Sequence, residues 1–120
     1  KVARGSCLNS DGAVGKAIWG KRASWVSYWA MFDNKDLAIS IFDHPSNPRH
    51  PTWWHARDYG LVAANPFGQH DFEAVPKGTG KMQLKLGESV TFFYRFLFHM
   101  GDPTKSEVSK KYIEWSKRKT

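Results

Sequence analysis

Apolar and polar positions alternate along several stretches of the chain, and alternation with a period of two predicts strands. In WVSYWAMFDNKDLAISIFD, residues 25–43, two runs rich in aromatic and β-branched residues flank Asp33-Asn34-Lys35-Asp36. This reads as a β-hairpin whose turn centres on Asn34-Lys35. That turn puts Val26, Tyr28, Ala30 and Phe32 on one face with Leu37, Ile39, Ile41 and Asp43, a face expected to be core. The opposite face carries Trp25, Ser27, Trp29 and Met31 beside Ala38, Ser40, Phe42 and His44. It is too apolar for open water, so both faces of the hairpin are expected to be covered.

ESVTFFYRFLFHM, residues 88–100, predicts a second long strand with Val90, Phe92, Tyr94, Phe96 and Phe98 on one side. Thr91, Phe93, Arg95, Leu97 and His99 share the other, more mixed side. KMQLKL, residues 81–86, alternates Met82, Leu84 and Leu86 with Lys81, Gln83 and Lys85 and predicts a one-sided strand after a Gly- and Pro-containing turn. ARDYGLVAA, residues 56–64, predicts another strand, ended by Asn65-Pro66-Phe67-Gly68. The period then changes: Thr104-Lys105-Ser106-Glu107 has the spacing of a capping box, and Val108, Tyr112 and Trp115 form an i, i+4, i+7 stripe. A helix is expected over about 104–118. The sum is an all-β antiparallel jelly-roll, β-sandwich or barrel with a C-terminal helix, in one domain spanning 1–120.

Charge changes this picture little. The net charge is +7, with six Lys/Arg against two acids in residues 1–35, the same six against two in 105–120, and six against seven between. Basic charge at both ends and a near-neutral, aromatic-rich centre argue against nucleic-acid binding, which interleaves bases and aromatics along a groove. No apolar run approaches the roughly 20 residues that cross a bilayer, so no membrane role is expected. The single cysteine, Cys7, permits no intrachain disulfide and reads as an inert thiol.

Candidate chemistry gathers in DHPSNPRHPTWWHARDYG, residues 43–60, which holds three of the five histidines and three of the six prolines. Imidazoles are the commonest ligands for transition metals, and the spacing His44-x5-His50-x4-His55, with His99 on a mixed strand face, could bring four of them to one centre. No zinc signature matches, and the lack of thiolate partners points, if a metal is bound at all, to a catalytic one with open positions: zinc, copper, iron or nickel. Three prolines stiffen the loop whether or not it holds a site. Trp53 and Trp54 offer flat faces for a sugar ring, although neighbours in a strand point to opposite sides. Arg57 joins them as a substrate contact, while Asp43, Asp58 and Arg49 suit acid/base or supporting roles around an imidazole. No P-loop, Rossmann or G-x-S-x-G pattern supports nucleotide or serine-hydrolase chemistry.

IFDHPSNPRHPTWWHARDYGLVAANPFG, with KAIWGKRASWVSY before it and FYRFLFHMGD after it, resembles the C-terminal part of the bacterial PmoA-type family, proteins labelled "methane oxygenase PmoA". The likeness spans about residues 12–118. That label sits badly with a chain lacking a membrane span. The resemblance implies a β-sandwich, carbohydrate-related work in polysaccharide-degrading bacteria, a secreted or periplasmic setting, and roles for Asp43, His44, His50, His55, Arg57, Asp58 and, more loosely, His99. Family members are longer, which with Lys1 in place of Met is expected of a compact, mature or truncated form. A weaker likeness of architecture alone is to compact copper-dependent oxidases acting on cellulose; the H-x-H pair of cupins is missing.

Three readings follow. The first is a copper-dependent oxidoreductase acting on carbohydrate, with His44, His50, His55 and His99 as ligands. In the second, the same histidines act without metal in a carbohydrate-binding or sugar-epimerising domain. In the third, the sheet is an assembly module that pairs with a second copy, a homodimer, through exposed aromatics.

Overall fold

The computed structural model describes residues 5–104 and 106–120. Six strands, a one-turn 3₁₀ helix at Gly15–Ile18 and two α-helices follow in the order β1 Ser6–Asn9, β2 Trp25–Phe32, β3 Lys35–Asp43, β4 Trp53–Arg57, β5 Leu61–Asn65, α1 Gln69–Phe72, β6 Tyr94–Met100, α2 Val108–Ser116. One antiparallel sheet has the order β1-β2-β3-β6, and β4-β5 form a separate two-stranded sheet. The two sheets and the C-terminal helix make a β-sandwich.

The alternation of side chains along β2 and β3 is what allows one sheet to serve two cores. Val26 and Ile41 face the small sheet and are buried with Cys7, Ile18, Ala23, Trp54 and Ala56. Trp25 and Phe42 point the other way and are buried against Val108, Tyr112 and Trp115 of α2. The stripe read from the helical period is thus the docking face of α2.

The hairpin turn sits one residue earlier than expected. Phe32 pairs with Lys35, so Asp33 and Asn34 form the loop. Both have positive φ, 51° and 62°, as a type I′ turn requires, and its twist matches that of the flanking strands. Moving the turn by one residue shifts the pairing by two, which leaves every side chain on its expected face. The faces are right, but their burial differs: Phe32 and Leu37 of the supposed core face are exposed, because the small sheet covers only the other end.

Four further expectations are corrected. Residues 56–64 are not one strand; Asp58-Tyr59-Gly60 turn the chain, with Gly60 at φ 106°, and β4 pairs back on β5. Residues 81–86 form no strand. The carbonyls of Gly80 and Lys81 accept hydrogen bonds from the Arg49 side chain, and Gly78, Gly80 and Gly87 all adopt positive φ, which breaks an extended path. The second long strand is confined to Tyr94–Met100. Finally, the helix starts at Val108, and no capping box forms among the described residues. Glu107 takes a left-handed conformation, φ 54°, and makes no side-chain cap, so it cannot occupy the third helical position that the box requires. Lys105 lies outside the described residues. Among these residues no helix is long and apolar enough to cross a membrane.

Candidate functional site

The loop between β3 and β4 folds back on the last residue of β3. Asp43 is buried, and three groups converge on its carboxylate: the Asn47 amide donates to Oδ1 at 2.7 Å, the Thr52 backbone N–H to Oδ2 at 2.9 Å, and His50 Nδ1 to Oδ2 at 2.7 Å. Asn47 also pairs with Phe93 like a strand neighbour, donating to its carbonyl at 2.7 Å and accepting from its N–H at 2.6 Å. The loop is therefore stitched to the segment leading into β6. His50 precedes a cis bond to Pro51. Its Nε2 makes no hydrogen bond among the described residues, and its side chain is 18% exposed.

Chemically this is an imidazole held in one orientation and one tautomer by a buried carboxylate, with the second nitrogen not hydrogen-bonded among the described residues. Such a group accepts a proton or a hydrogen bond from a ligand. Tyr94 stands opposite Asp43 in the β3–β6 register. Burial, and then the charge of Asp43, push its phenol up to about 12, so it keeps its proton and remains a donor. Phe92 stacks parallel to Tyr94 at 6.3 Å, and Phe67 meets Phe92 edge-on at 5.9 Å. Arg49 holds this neighbourhood together by donating to the carbonyls of Pro66, Gly80 and Lys81. Its role is that of a tether.

The other predicted residues go elsewhere. His44 is buried under α2, its ring edge-on to Trp115 at 4.9 Å. Its Nε2 donates to the Arg118 carbonyl at 2.8 Å, and its Nδ1 accepts from the Ser46 N–H, so both nitrogens are engaged. His55, on β4, meets the rings of Trp19 and Phe72. His99 bonds through Nε2 to Ser40 Oγ at 2.8 Å, and Ser40 in turn to Ser27 at 2.5 Å. Among the described residues its Nδ1 is buried with no hydrogen bond, and burial holds its pKa below the ordinary imidazole value. The four imidazoles thus occupy separate surroundings. Among the described residues no group of three or more His, Cys, Asp or Glu is placed to hold a metal ion, which leaves the expected copper without a ligand set of the kind such sites use.

The two tryptophans are corrected as well. They point to opposite sides of β4, yet neither is a sugar platform. Trp54 is fully buried, its indole N–H donating to the Ala23 carbonyl at 2.8 Å. Trp53 is closed off by the Arg22 guanidinium, 4.4 Å above its ring, and donates to Glu73 at 2.8 Å. Arg57 stacks on Trp19 at 4.8 Å and, with Lys16, Asp58 and Tyr59, lines a cavity of about 430 Å³ at the far end of β4. The Asp58 carbonyl accepts from Gly5 N–H and from the Tyr28 hydroxyl, so the turn is anchored to the larger sheet.

A family model, DUF6807, described as a family of unknown function, matches residues 1–113. The chain belongs to DUF6807. No curated protein and no solved structure matches it. The resemblance to a PmoA-type family and to compact copper oxidases is thereby overturned: the family found is DUF6807, and neither of those is found. The signature that suggested them has a structural account within this DUF6807 chain. Its Asp, Asn and second His tie the loop, and its Arg-Asp-Tyr-Gly makes the β4–β5 turn. Asn47 and Tyr94 were missed from sequence. Tyr94 could be found by extending the pairing register from β3, whereas Asn47 reads as one more loop asparagine until the chain's return path is known.

Proposed function

We propose that this DUF6807 chain is a metal-free carbohydrate-binding or sugar-epimerising domain, with His50 as its working group. The observation that carries this reading is the 2.7 Å contact between His50 Nδ1 and the buried Asp43 carboxylate, which leaves Nε2 unbonded in a partly exposed ring. Sugars present hydroxyls as donors and acceptors on rings with apolar faces. His50 Nε2 supplies an acceptor or base, Tyr94 a phenol that stays protonated, and Phe67 and Phe92 apolar ring surface beside them. Asp43 touches no ligand; it fixes the tautomer and direction of His50, the arrangement by which a carboxylate makes an imidazole a competent base.

The experiment is calorimetric and NMR titration with a panel of neutral and acidic sugars in the presence of a chelator, with anomeric exchange followed in the same samples. Binding or exchange that survives the chelator and falls at least about tenfold in His50→Gln, with the melting temperature retained, supports the proposal. Stoichiometric copper binding that is required for activity overturns it in favour of the metal-dependent reading. Unaltered sugar binding in His50→Gln overturns the assignment of His50.

A further inference from the structure

The larger sheet is covered on one face by α2 but only half covered on the other. Beyond the end of the β4–β5 hairpin, and in the case of Phe96 along the β6 edge beside it, Phe32, Leu37, Phe96, Phe98 and Met100 stand on that face in solvent, with Phe32 at 71%, Phe96 at 57% and Phe98 at 76% of their full exposure. The register shows why they lie together: Phe98 is opposite Ile39, Met100 opposite Leu37, and Leu37 opposite Ala30. Ala30 is too small to fill its place, so Tyr28, Phe32, Leu37 and Ile39 rim an open apolar groove of about 320 Å³ over it. One face therefore carries both a projecting aromatic, Phe98, and a shallow, open apolar depression over Ala30.

We infer that this face is an interface with a second copy of the same chain, stacked face to face about a two-fold axis. In that arrangement Phe98 of each copy enters the groove over Ala30 of the other. A two-fold contact needs a surface complementary to itself, which a knob and a hole side by side provide. The area suffices. With aromatic side chains carrying about 150–250 Å² each, the exposed parts of the five side chains come to about 600 Å² per copy. With all of it buried, both copies together reach about 1,200 Å², the lower bound for a specific, stable interface. Charge does not oppose it: Lys35, at the hairpin tip, is the one charged residue that the β2–β3–β6 register puts on this exposed half of the face, since Asp36, paired with Met31, and Arg95, over Trp115 at 5.8 Å, point the other way. The net charge of +7 is carried mainly outside this face. The opposite edge of the sheet, β1, is closed by the Leu8–Val14 bridge and by the Gly5 N–H bond to Asp58, which leaves the β6 side as the open one.

Sedimentation and light scattering of the whole chain, from micromolar to millimolar concentration, test this. A reversible dimer is expected, with a Kd raised about tenfold or more by Phe98→Glu, since aromatic anchors in pockets dominate such contacts. Leu86→Glu, at a fully exposed leucine outside the face, is expected to leave the dimer unchanged. Should Phe98→Glu fail to fold by circular dichroism, Phe32→Glu at the hairpin tip provides the same readout. A chain that stays monomeric throughout the range overturns the inference. So does a dimer indifferent to both Phe98→Glu and Phe32→Glu.

Discussion

Asp43 and His50 are seven residues apart, and nothing in that spacing says that they touch. Their contact depends on a loop that turns at Asn47, reverses at Arg49 with φ 65°, and returns Thr52 to the carboxylate. Sequence reasoning named both residues, and Arg49, but assigned their neighbours to a shared centre that side-chain direction does not create. His44 follows Asp43 directly, yet it leaves the strand on the other face and meets Trp115 instead. His99 was correctly placed on the mixed face, where it ends a buried chain through Ser40 to Ser27. Its pKa is lowered from the ordinary 6.5, chiefly by burial and in smaller part by the charge of Lys111, against the opposing pull of the nearby backbone at Met100 and Gly101. The sign follows. Above 6.5 folded and unfolded chains both hold this imidazole neutral; between 6.5 and the lower folded value only the unfolded chain binds the proton, so stability falls as pH falls through that window. In melting curves from pH 8 to pH 5, the protein is expected to lose stability relative to His99→Gln as the pH drops below about 6.5. A difference that stays constant with pH would show that His99 does not titrate in this way.

The elements were legible wherever two signals agreed. The aromatic and β-branched runs of β2 and β3 have period two and a turn-forming centre, and they pair as expected apart from the one-residue move of the turn. The Val108, Tyr112 and Trp115 stripe has period 3.6 and is buried throughout. Where only one signal was present the reading failed. Residues 81–86 alternate, but alternation describes a strand only when a sheet edge lies beside it, and here Arg49 takes two of the neighbouring carbonyls. The capping box had the right residue types, yet the turns from Asp102 to Val108 are closed by backbone bonds to Asp102, Pro103 and Thr104 instead. Glu107 is consequently left in the left-handed region, where a Cβ costs about 1–2 kcal/mol. Glu107→Gly is expected to stabilise the protein by about 1 kcal/mol, read as a higher urea midpoint with an unchanged slope. A lower midpoint would mean that the glutamate side chain compensates for its own backbone.

At the scale of the whole molecule, the two cores meet at the β3–β4 junction. Tyr112 on α2 donates its hydroxyl to the Asp43 carbonyl at 2.9 Å, so the helix and the loop that carries His50 share a fixed point. Trp115→Ala removes a buried aromatic from the helix side of the sheet and is expected to cost about 3–5 kcal/mol. Because of the shared point it should also speed amide exchange at Thr52, which lies on the far side of Asp43 from the substitution. If that amide is protected as before, helix and loop open independently. Tyr112→Phe, milder at about 1 kcal/mol, asks the same question should the larger truncation unfold the chain.

The bond from His44 Nε2 to the Arg118 carbonyl has a consequence for processing of the tail. That carbonyl takes the proton that the Ser46 N–H, donating to Nδ1, confines to Nε2. A protease that cut between Ser116 and Arg118 would remove the acceptor and leave the N–H of a buried ring, on the residue joined covalently to Asp43, without its partner. Trimming the last few residues would thereby act as a one-way adjustment of the loop, made without touching any atom of it.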